Sequence, residues 1–202
     1  MRSVNKILAS LGDGRHWDRR VVAKLGEPEL LHVLGVIEGI ARVRFGARGA
    51  DVRDVMDDFT ALVSIVAQRN SARFLSEVAS RPRLAGSMVV LSAVANLRSR
   101  AASDILLRAL AGRDGTNRWL ALRALARRRE PRLAPLLVGR LRDRDSLVRF
   151  AAAESLQSMG DRSALAPLKS LAASPSCPPG TRAAAIKAAA AIRGREKKGP
   201  AR

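Results

Sequence analysis

The second half of the chain repeats itself at a nearly constant spacing. Arg118, Arg149 and Arg182 are separated by 31 and 33 residues, and Leu125 and Leu156 by 31. Such a period is typical of repeat arrays, in which each unit of structure buries its apolar surface only by stacking on its neighbours. The spacing therefore predicts a stack of similar units over this part of the chain.

Each repeat has the pattern of two helices joined by a short turn. The first, helix A, begins near the repeated arginine and is rich in alanine, at 151–153 and 183–185, so that neighbouring helices can approach closely. The second, helix B, begins at LAPL, which occurs at 133–136 and again 32 residues later at 165–168. Each LAPL places a proline, Pro135 or Pro167, in the first helical turn, where a missing N–H costs little. The leucines expected in the core of helix B are Leu133, Leu136, Leu137 and Leu141 in one repeat and Leu165, Leu168 and Leu171 in the next.

The turn between the two helices differs between the repeats. Gly160 is expected in the left-handed conformation just past the end of helix A, with Asp161 or Ser163 as the N-cap of the next helix. In the preceding repeat, Arg129 and Glu130 stand in place of this Gly-Asp pair. The earlier turn therefore departs from the pattern of its neighbour.

This arrangement resembles HEAT repeats, and most closely the short class first named from phycobilin-lyase subunits. The resemblance rests on an Asp-x-x-x-Arg opening, an alanine pair, a leucine, a Gly-Asp turn and a Pro-Leu pair. It covers residues 114–193 well, although Pro178 stands where aspartate opens the other two repeats. The resemblance implies an all-α fold, a right-handed α-solenoid of stacked antiparallel helix pairs. In one repeat the matching residues are Asp145, Arg149, Ala152, Ala153, Leu156, Gly160, Asp161, Pro167 and Leu168.

Helical signals continue upstream of the clear repeats. Residues 84–98 and 102–111 read as a degenerate repeat with Leu97 and Leu110 in its core. Residues 27–45 are apolar almost all round, as in a buried helix. We therefore expect three regions: an N-terminal helical region at 1–83, HEAT-like repeats at 84–193, and a disordered basic tail at 194–202.

A regular apolar stripe lies within the N-terminal region. Val52, Val55, Phe59, Leu62 and Val66 are spaced 3, 4, 3 and 4 residues apart, which is the periodicity of one face of a helix. The stripe predicts either an interior helix or the seam of a dimer formed through the 51–66 helix.

Positive charge is the strongest indication of function. The chain has 37 Lys and Arg against 18 Asp and Glu, a formal net charge of +19. Residues 101–202 carry 21 basic and 8 acidic residues, so this half alone has a balance of +13. A charge of this size favours acidic partners: a protein with an acidic face, a nucleic acid, or an anionic membrane surface.

The expected location is the cytoplasm. No run of apolar residues in the sequence is long enough to span a membrane, so no membrane span is expected. The single cysteine, Cys177, cannot form an internal disulfide and is expected in a loop.

One set of charged residues is a candidate anion- or nucleic-acid-binding patch. Five arginines crowd the turn between helices A and B of one repeat, and three more follow at the next turn. A helix dipole favours one or two cations near a helix C-terminus, but it does not account for five. The patch consists of Arg123, Arg127, Arg128, Arg129, Arg132, Arg140, Arg142 and Arg144.

A second set of charged residues is expected to form a structural ladder along the repeats. In two repeats an aspartate precedes the repeated arginine by four residues, which is the spacing of an ion pair across one helical turn. Similar positions in HEAT proteins resemble a ladder that holds the repeats in register. The ladder consists of Asp114, Arg118, Asp145, Arg149 and Arg182.

The sequence shows no catalytic or metal-binding motif. His16 and His32 are the two histidines, and they lack companions for a metal site or a catalytic triad. Trp119 is expected in the core, and Trp17 is expected to cover the N-terminal end of the stack or to stack on a base. No cofactor and no metal is therefore expected.

The sequence predicts a non-catalytic HEAT-repeat scaffold or adaptor that binds an acidic macromolecular partner, with protein favoured by the resemblance. The alternative is sequence-independent binding of duplex DNA or structured RNA through the arginine patch. A third interpretation is a HEAT-type enzyme, such as a phycobilin lyase or an alkylpurine DNA glycosylase, although no active-site motif of either matches numbered positions here. Deoxyhypusine hydroxylases are excluded, because they bind iron through His-Glu pairs and the sequence has none.

Overall fold

The computed structural model describes residues 31–35 and 51–197 of the chain. Within these ranges every regular element is helical and no strand occurs, so the all-α prediction is confirmed. The chain divides into two compact units, Met1–Leu106 and Leu107–Arg202. His16, Trp17, most of the apolar segment 27–45, and residues 198–202 lie outside the described residues.

The first unit consists of helices that precede the clear repeats. Residues 31–35 are helical, and Val33 and Leu34 are buried. A turn at Gly86 divides the segment expected as one helix at 84–98. The later helices are α1 (Asp51–Arg69), α2 (Ser71–Ser80), α3 (Pro82–Ala85), α4 (Met88–Asn96) and α5 (Arg100–Leu110), the last of which crosses into the second unit.

The apolar stripe of α1 is an interior face where its side chains are described. Leu62 and Val66 are almost completely buried, and α1 packs on α4. Because these two side chains already lie inside the unit, the alternative of a dimer seam is wrong for this half of the stripe. The side chains of Val52, Val55 and Phe59 lie outside the described part of the structure.

The second unit contains the repeats as helix pairs. We call α6, α8 and α10 the A helices, and α7 and α9 the B helices. Each A helix packs on the next one, α6 on α8 and α8 on α10, and each B helix packs on the A helix that follows it. Ala151, Ala152 and Ala153 are buried on α8, so small side chains lie where the A helices meet. The elements are α6 (Gly115–Arg127), a 3₁₀ turn (Pro131–Leu133), α7 (Ala134–Arg140), α8 (Ser146–Met159), a 3₁₀ turn (Arg162–Ala164), α9 (Leu165–Ala173) and α10 (Pro179–Lys197).

The B helices are equivalent at a step of 31 residues, and the step of 32 suggested by the two LAPL segments is wrong. That step pairs Leu136 with Leu168, but Leu136 is 40% exposed and Leu168 is fully buried. The buried equivalents are Leu137 and Leu168, because α7 begins at Ala134 and α9 at Leu165. The two identical tetrapeptides therefore lie one residue out of register.

The left-handed residue is in the other turn from the one expected. Gly160 has an extended conformation, with φ −79° and ψ 153°, whereas Arg129 has φ 51°. At the end of α6, the Arg129 N–H donates to Ala126 O and the Glu130 N–H donates to Leu125 O, which is the Schellman arrangement. Gly160 is needed for another reason: a Cβ there would lie 2.6 Å from Leu156 O and 2.9 Å from Ile192 Cδ1.

The last helix extends into the expected tail. Helix α10 continues through Lys197, so residues 194–197 are helical and the disordered tail expected from 194 is wrong for these four residues. Arg195 explains the extension, because its Nη1 donates to Gln157 O at 2.6 Å and its Nη2 donates to Gly160 O at 2.7 Å. The end of α10 is therefore tied to the end of α8.

Candidate functional site

The three ladder arginines occupy the same place in the repeats and make the same kind of contact. Each is the fourth residue of its A helix, and each donates to two main-chain carbonyls of the link that precedes the helix. Arg118 Nη1 donates to Gly112 O at 3.3 Å and to Arg113 O at 2.7 Å. A guanidinium has five donors in a fixed plane, so one side chain can satisfy several carbonyls that end a helix.

The later repeats reproduce this contact. Arg149 Nη1 donates to Asp143 O at 2.8 Å and to Arg144 O at 3.1 Å. Arg182 Nη2 donates to Ser174 O at 3.1 Å and to Cys177 O at 3.4 Å. Each arginine thus fastens a link between repeats to the helix that follows it.

The ladder aspartates cap helices and are not the ion-pair partners that their spacing suggests. Asp114 Oδ1 accepts from the Asn117 N–H at 2.7 Å, and Asp145 Oδ1 accepts from the Leu147 N–H at 2.8 Å. An N-cap carboxylate faces the free N–H groups of its own helix, which turns it away from the side chain one turn later. The spacing of four residues therefore reflects an N-cap and a link-binding arginine in the same helix.

The ion-pair partner of Arg118 is Asp143, in the link between α7 and α8. Arg118 Nη2 lies 2.6 Å from Asp143 Oδ1 and Nε lies 2.9 Å from Oδ2, and both side chains are only 4% exposed. The equivalent positions two residues before the other repeat openings are Gly112 and Ser176, so periodicity gave no signal for this residue. Asp143 is the functional neighbour that sequence reasoning missed.

The buried pair shifts the pKa of both members. The hydrogen bond to Asp143 raises the pKa of Arg118 above its ordinary value. Burial by itself would raise the pKa of Asp143, but hydrogen bonds from Arg118 and from the Asp145 N–H, together with nearby positive charge, hold it below the usual range. Both groups are therefore held in their charged forms.

The eight arginines of the candidate patch do not form one surface. They fall into two groups at opposite ends of α7, whose seven residues span roughly 10 Å. We call the end with the turns after α6 and α8 the A–B edge, and the end with the links between repeats the link edge. Arg123, Arg127, Arg128, Arg129 and Arg132 lie towards the A–B edge, and Arg140, Arg142 and Arg144 lie at the link edge.

Several patch arginines are engaged within the protein. Arg132 Nε lies 2.7 Å from Glu130 Oε1, and Arg140 Nη1 lies 3.6 Å from Asp143 Oδ2. Arg144 Nη2 donates to Arg113 O. Arg128 is half-buried. These side chains have structural contacts in addition to their charge.

The remaining patch arginines are exposed. Arg127 and Arg129 at the A–B edge and Arg142 at the link edge are exposed and have no ion pair or side-chain hydrogen bond among the described residues. Arg162, in the turn after α8, is likewise exposed and joins the A–B edge, although sequence reasoning did not include it. The turns of adjacent repeats are separated by one helix spacing, about 8–10 Å.

Trp119 is not a core residue. It is half-buried, and the Arg123 guanidinium lies over its ring, 5.4 Å from the centroid. Phe150, in the same place on α8, is also half-buried, and Ala183 on α10 is exposed. This position therefore lies at the outer surface of the A helices, because the neighbouring repeats stack beside it and not over it.

Most carboxylates of the second unit are engaged in local structure. Asp114, Asp145 and Asp161 are N-caps, Asp143 is in the buried pair, and Glu130 is bonded by Arg132. Hydrogen bonds from the Ser163 hydroxyl and N–H lower the pKa of Asp161, which keeps it charged. The other two carboxylates in residues 107–202 are Glu154 and Glu196. Little negative charge thus remains to offset the exposed arginines.

The described residues hold no group of three or more His, Cys, Asp or Glu side chains arranged to bind a metal ion. Cys177 is buried in the loop between α9 and α10, as expected of a loop residue. Among the described helices, none combines the length and the apolar character needed to cross a membrane.

Comparison with known proteins bears on the repeats. Comparison with curated proteins and with solved structures gives no match. The family model described as HEAT repeats matches residues 103–190, which include α6 to α9 and most of α10. The match is to HEAT repeats in general and does not select the phycobilin-lyase class. It supports a HEAT-repeat family for this part of the chain, as the stacked helix pairs do.

Proposed function

We propose that this chain is a non-catalytic HEAT-repeat scaffold that binds an acidic protein partner through the A–B edge of its second unit. The observation that carries the proposal is the unequal use of charge there. The carboxylates beside the edge, Glu130 and Asp161, are held by Arg132 and Ser163, whereas Arg127, Arg129 and Arg162 are exposed and without partners among the described residues.

The shape of the repeats favours a macromolecular partner. Stacked helix pairs present extended surfaces and side chains at regular spacing along an edge. Exposed arginines recognise carboxylates through paired hydrogen bonds, and a row of them at helix spacing matches several carboxylates better than one. Charge at such a surface contributes mainly to the rate and the specificity of association.

The test is fluorescence anisotropy with a labelled polyglutamate peptide over a salt series. The variant Arg127→Glu/Arg129→Glu reverses two charges at the A–B edge, and Arg113→Glu/Arg142→Glu makes the same change in net charge with exposed residues of the link edge. We expect the first variant to weaken binding by roughly tenfold or more, and the second to bind within about twofold of the original chain.

Circular dichroism melting of both variants controls for folding, since all four positions are exposed. Equal weakening by the two variants would show that only net charge matters and would reject the A–B edge as the site. If the original chain shows no binding to polyglutamate near physiological salt, the acidic-partner proposal is wrong.

A second candidate function is binding of duplex DNA or structured RNA. It is supported by exposed arginines at both edges, namely Arg127 and Arg129 at one and Arg113 and Arg142 at the other. Phosphate binding predicts that both variants lose affinity, and that log Kd rises with log salt by about 0.9 for each phosphate contact. Labelled duplex DNA and hairpin RNA in the same titration separate this function from protein binding.

A further inference from the structure

The exposed face of α10 differs from the same face of the other two A helices. The eighth residue of each A helix is Leu122 in α6, Ala153 in α8 and Ile186 in α10. Leu122 and Ala153 are completely buried, whereas Ile186 is 57% exposed. An isoleucine thus lies in solvent at a position that is interior in both preceding repeats.

This position is covered by the helices that come after an A helix in the stack. Helix α8 packs between α6 and α7 on one side and α10 on the other, whereas α10 has α8 and α9 on its preceding side. Because α10 has the preceding neighbours and Ile186 is still exposed, those neighbours do not cover the eighth position. The burial of Leu122 and Ala153 therefore comes from the helices after them, so the natural occupant of the Ile186 face is another helix.

The charge around Ile186 defines the chemistry of that helix. Arg182 precedes Ile186 by one turn, Lys187 is its neighbour, and Arg193 lies two turns further along the same side of α10. All three are exposed. The one carboxylate of α10 is Glu196, in its last turn.

We propose that the Ile186 face of α10 docks a helix from a partner protein that has an apolar stripe flanked by acidic residues. The partner helix continues the stack in the place where a following repeat would lie, with its apolar residues on Ile186 and its carboxylates opposite Lys187 and Arg193. A second copy of this chain fits the face poorly, because a two-fold contact would bring these like charges together.

This surface is separate from the A–B edge, although the proposal rests on the scaffold function in that both concern an acidic protein partner. The probe is a labelled, alanine- and leucine-rich helical peptide with glutamates on both sides of its apolar stripe. The same peptide with lysine in place of every glutamate is the charge control. We measure binding of each peptide by anisotropy to the full chain and to single variants.

Ile186→Ser and Leu147→Ser are a matched pair, since both side chains are 57% exposed and Leu147 lies on α8, away from the proposed face. We expect Ile186→Ser to weaken binding of the acidic helical peptide by about tenfold, which corresponds to about 1.4 kcal/mol, and Leu147→Ser to leave it unchanged. The lysine peptide should not bind the original chain, and it should gain affinity for the variant Lys187→Glu/Arg193→Glu.

Three results would overturn the proposal. They are an absence of peptide binding, equal binding of the acidic and lysine peptides, and a dimer in analytical ultracentrifugation that Ile186→Ser dissociates. The two proposals fail separately. Arg127→Glu/Arg129→Glu should weaken polyglutamate binding and leave the helical peptide unaffected, whereas Ile186→Ser should do the reverse.

Discussion

Arg118 and Asp143 form a buried, two-pronged ion pair across 25 residues of sequence, and this pair joins helix A of one repeat to the link that leads into the next. The same guanidinium also donates to Gly112 O and Arg113 O, so it holds the link before its own helix as well. One side chain therefore connects three consecutive segments of the stack.

Removing the charge of Asp143 should destabilise the second unit strongly. Asp143→Asn leaves a buried guanidinium without its counter-charge, and breaking one side of a buried pair typically costs about 3–5 kcal/mol. Urea denaturation at neutral pH measures the change in the free energy of unfolding. Asp161→Asn is the control, because asparagine caps helices as well as aspartate and the residue is exposed, so its effect should stay within about 0.5 kcal/mol. Equal losses in the two variants would contradict the role given to the pair.

The contribution of Asp143 should disappear in acid. Its pKa in the folded chain lies below the ordinary value, so its stabilisation is fully present above the pKa of an unfolded aspartate, about 3.9, and is lost as the pH falls through the folded pKa. We expect the difference in unfolding free energy between the original chain and Asp143→Asn to be constant from about pH 7 to pH 5 and to shrink below about pH 4. A difference that stays constant down to about pH 2 would show that the carboxylate does not titrate with folding.

Arg129 should be improved by glycine. Its φ of 51° places an ordinary residue in the left-handed region at the C′ position of a Schellman motif, where glycine carries no steric cost. Arg129→Gly should therefore raise the free energy of unfolding by about 0.5–1 kcal/mol, after allowance for the greater freedom of glycine in the unfolded chain.

The neighbouring residue provides the control for this change. Arg127→Gly removes the same charge from the last turn of α6, where the backbone is helical, and should lower the free energy of unfolding by about 1 kcal/mol. Thermal melts of the two variants should move in opposite directions. Parallel shifts would indicate that lost charge, and not backbone conformation, dominates.

Gly160 and Gly139 should respond oppositely to alanine. A Cβ on Gly160 would lie 2.6 Å from the main-chain Leu156 O, which cannot move without opening the end of α8, whereas a Cβ on Gly139 meets nothing within 4 Å. Gly160→Ala should cost about 1–3 kcal/mol, and Gly139→Ala, inside α7, should gain about 0.5–1 kcal/mol. Thermal denaturation of both variants checks the pair, and a neutral Gly160→Ala would contradict the close approach.

The architecture was predictable from the sequence because its periodicity is carried by residues with repeated jobs. Arg118, Arg149 and Arg182 recur since each link has carbonyls to satisfy, and Leu125 and Leu156 recur since each A helix has the same buried side. Repetition of a physical requirement leaves repetition in the sequence. The degenerate repeat was recognised for the same reason, and Leu97 and Leu110 are buried as expected.

The details that sequence did not predict are those that occur once. Asp143 has no counterpart in the other links, and the Ile186 face is unusual only because of its neighbours in three dimensions. The two LAPL segments show the opposite error, in which identical letters suggested a register that burial contradicts by one residue. A tetrapeptide is too short to fix which side of a helix faces the core.

Arg195 gives the stack a cooperative end. In a linear array the last element has a neighbour on one side only, so it is the first place where the native state opens locally. Here the final turns of α10 are hydrogen-bonded to Gln157 O and Gly160 O at the end of the preceding A helix. Opening that end therefore requires both repeats to loosen together, and backbone amides near Gly160 and near Arg195 should exchange with solvent as one unit.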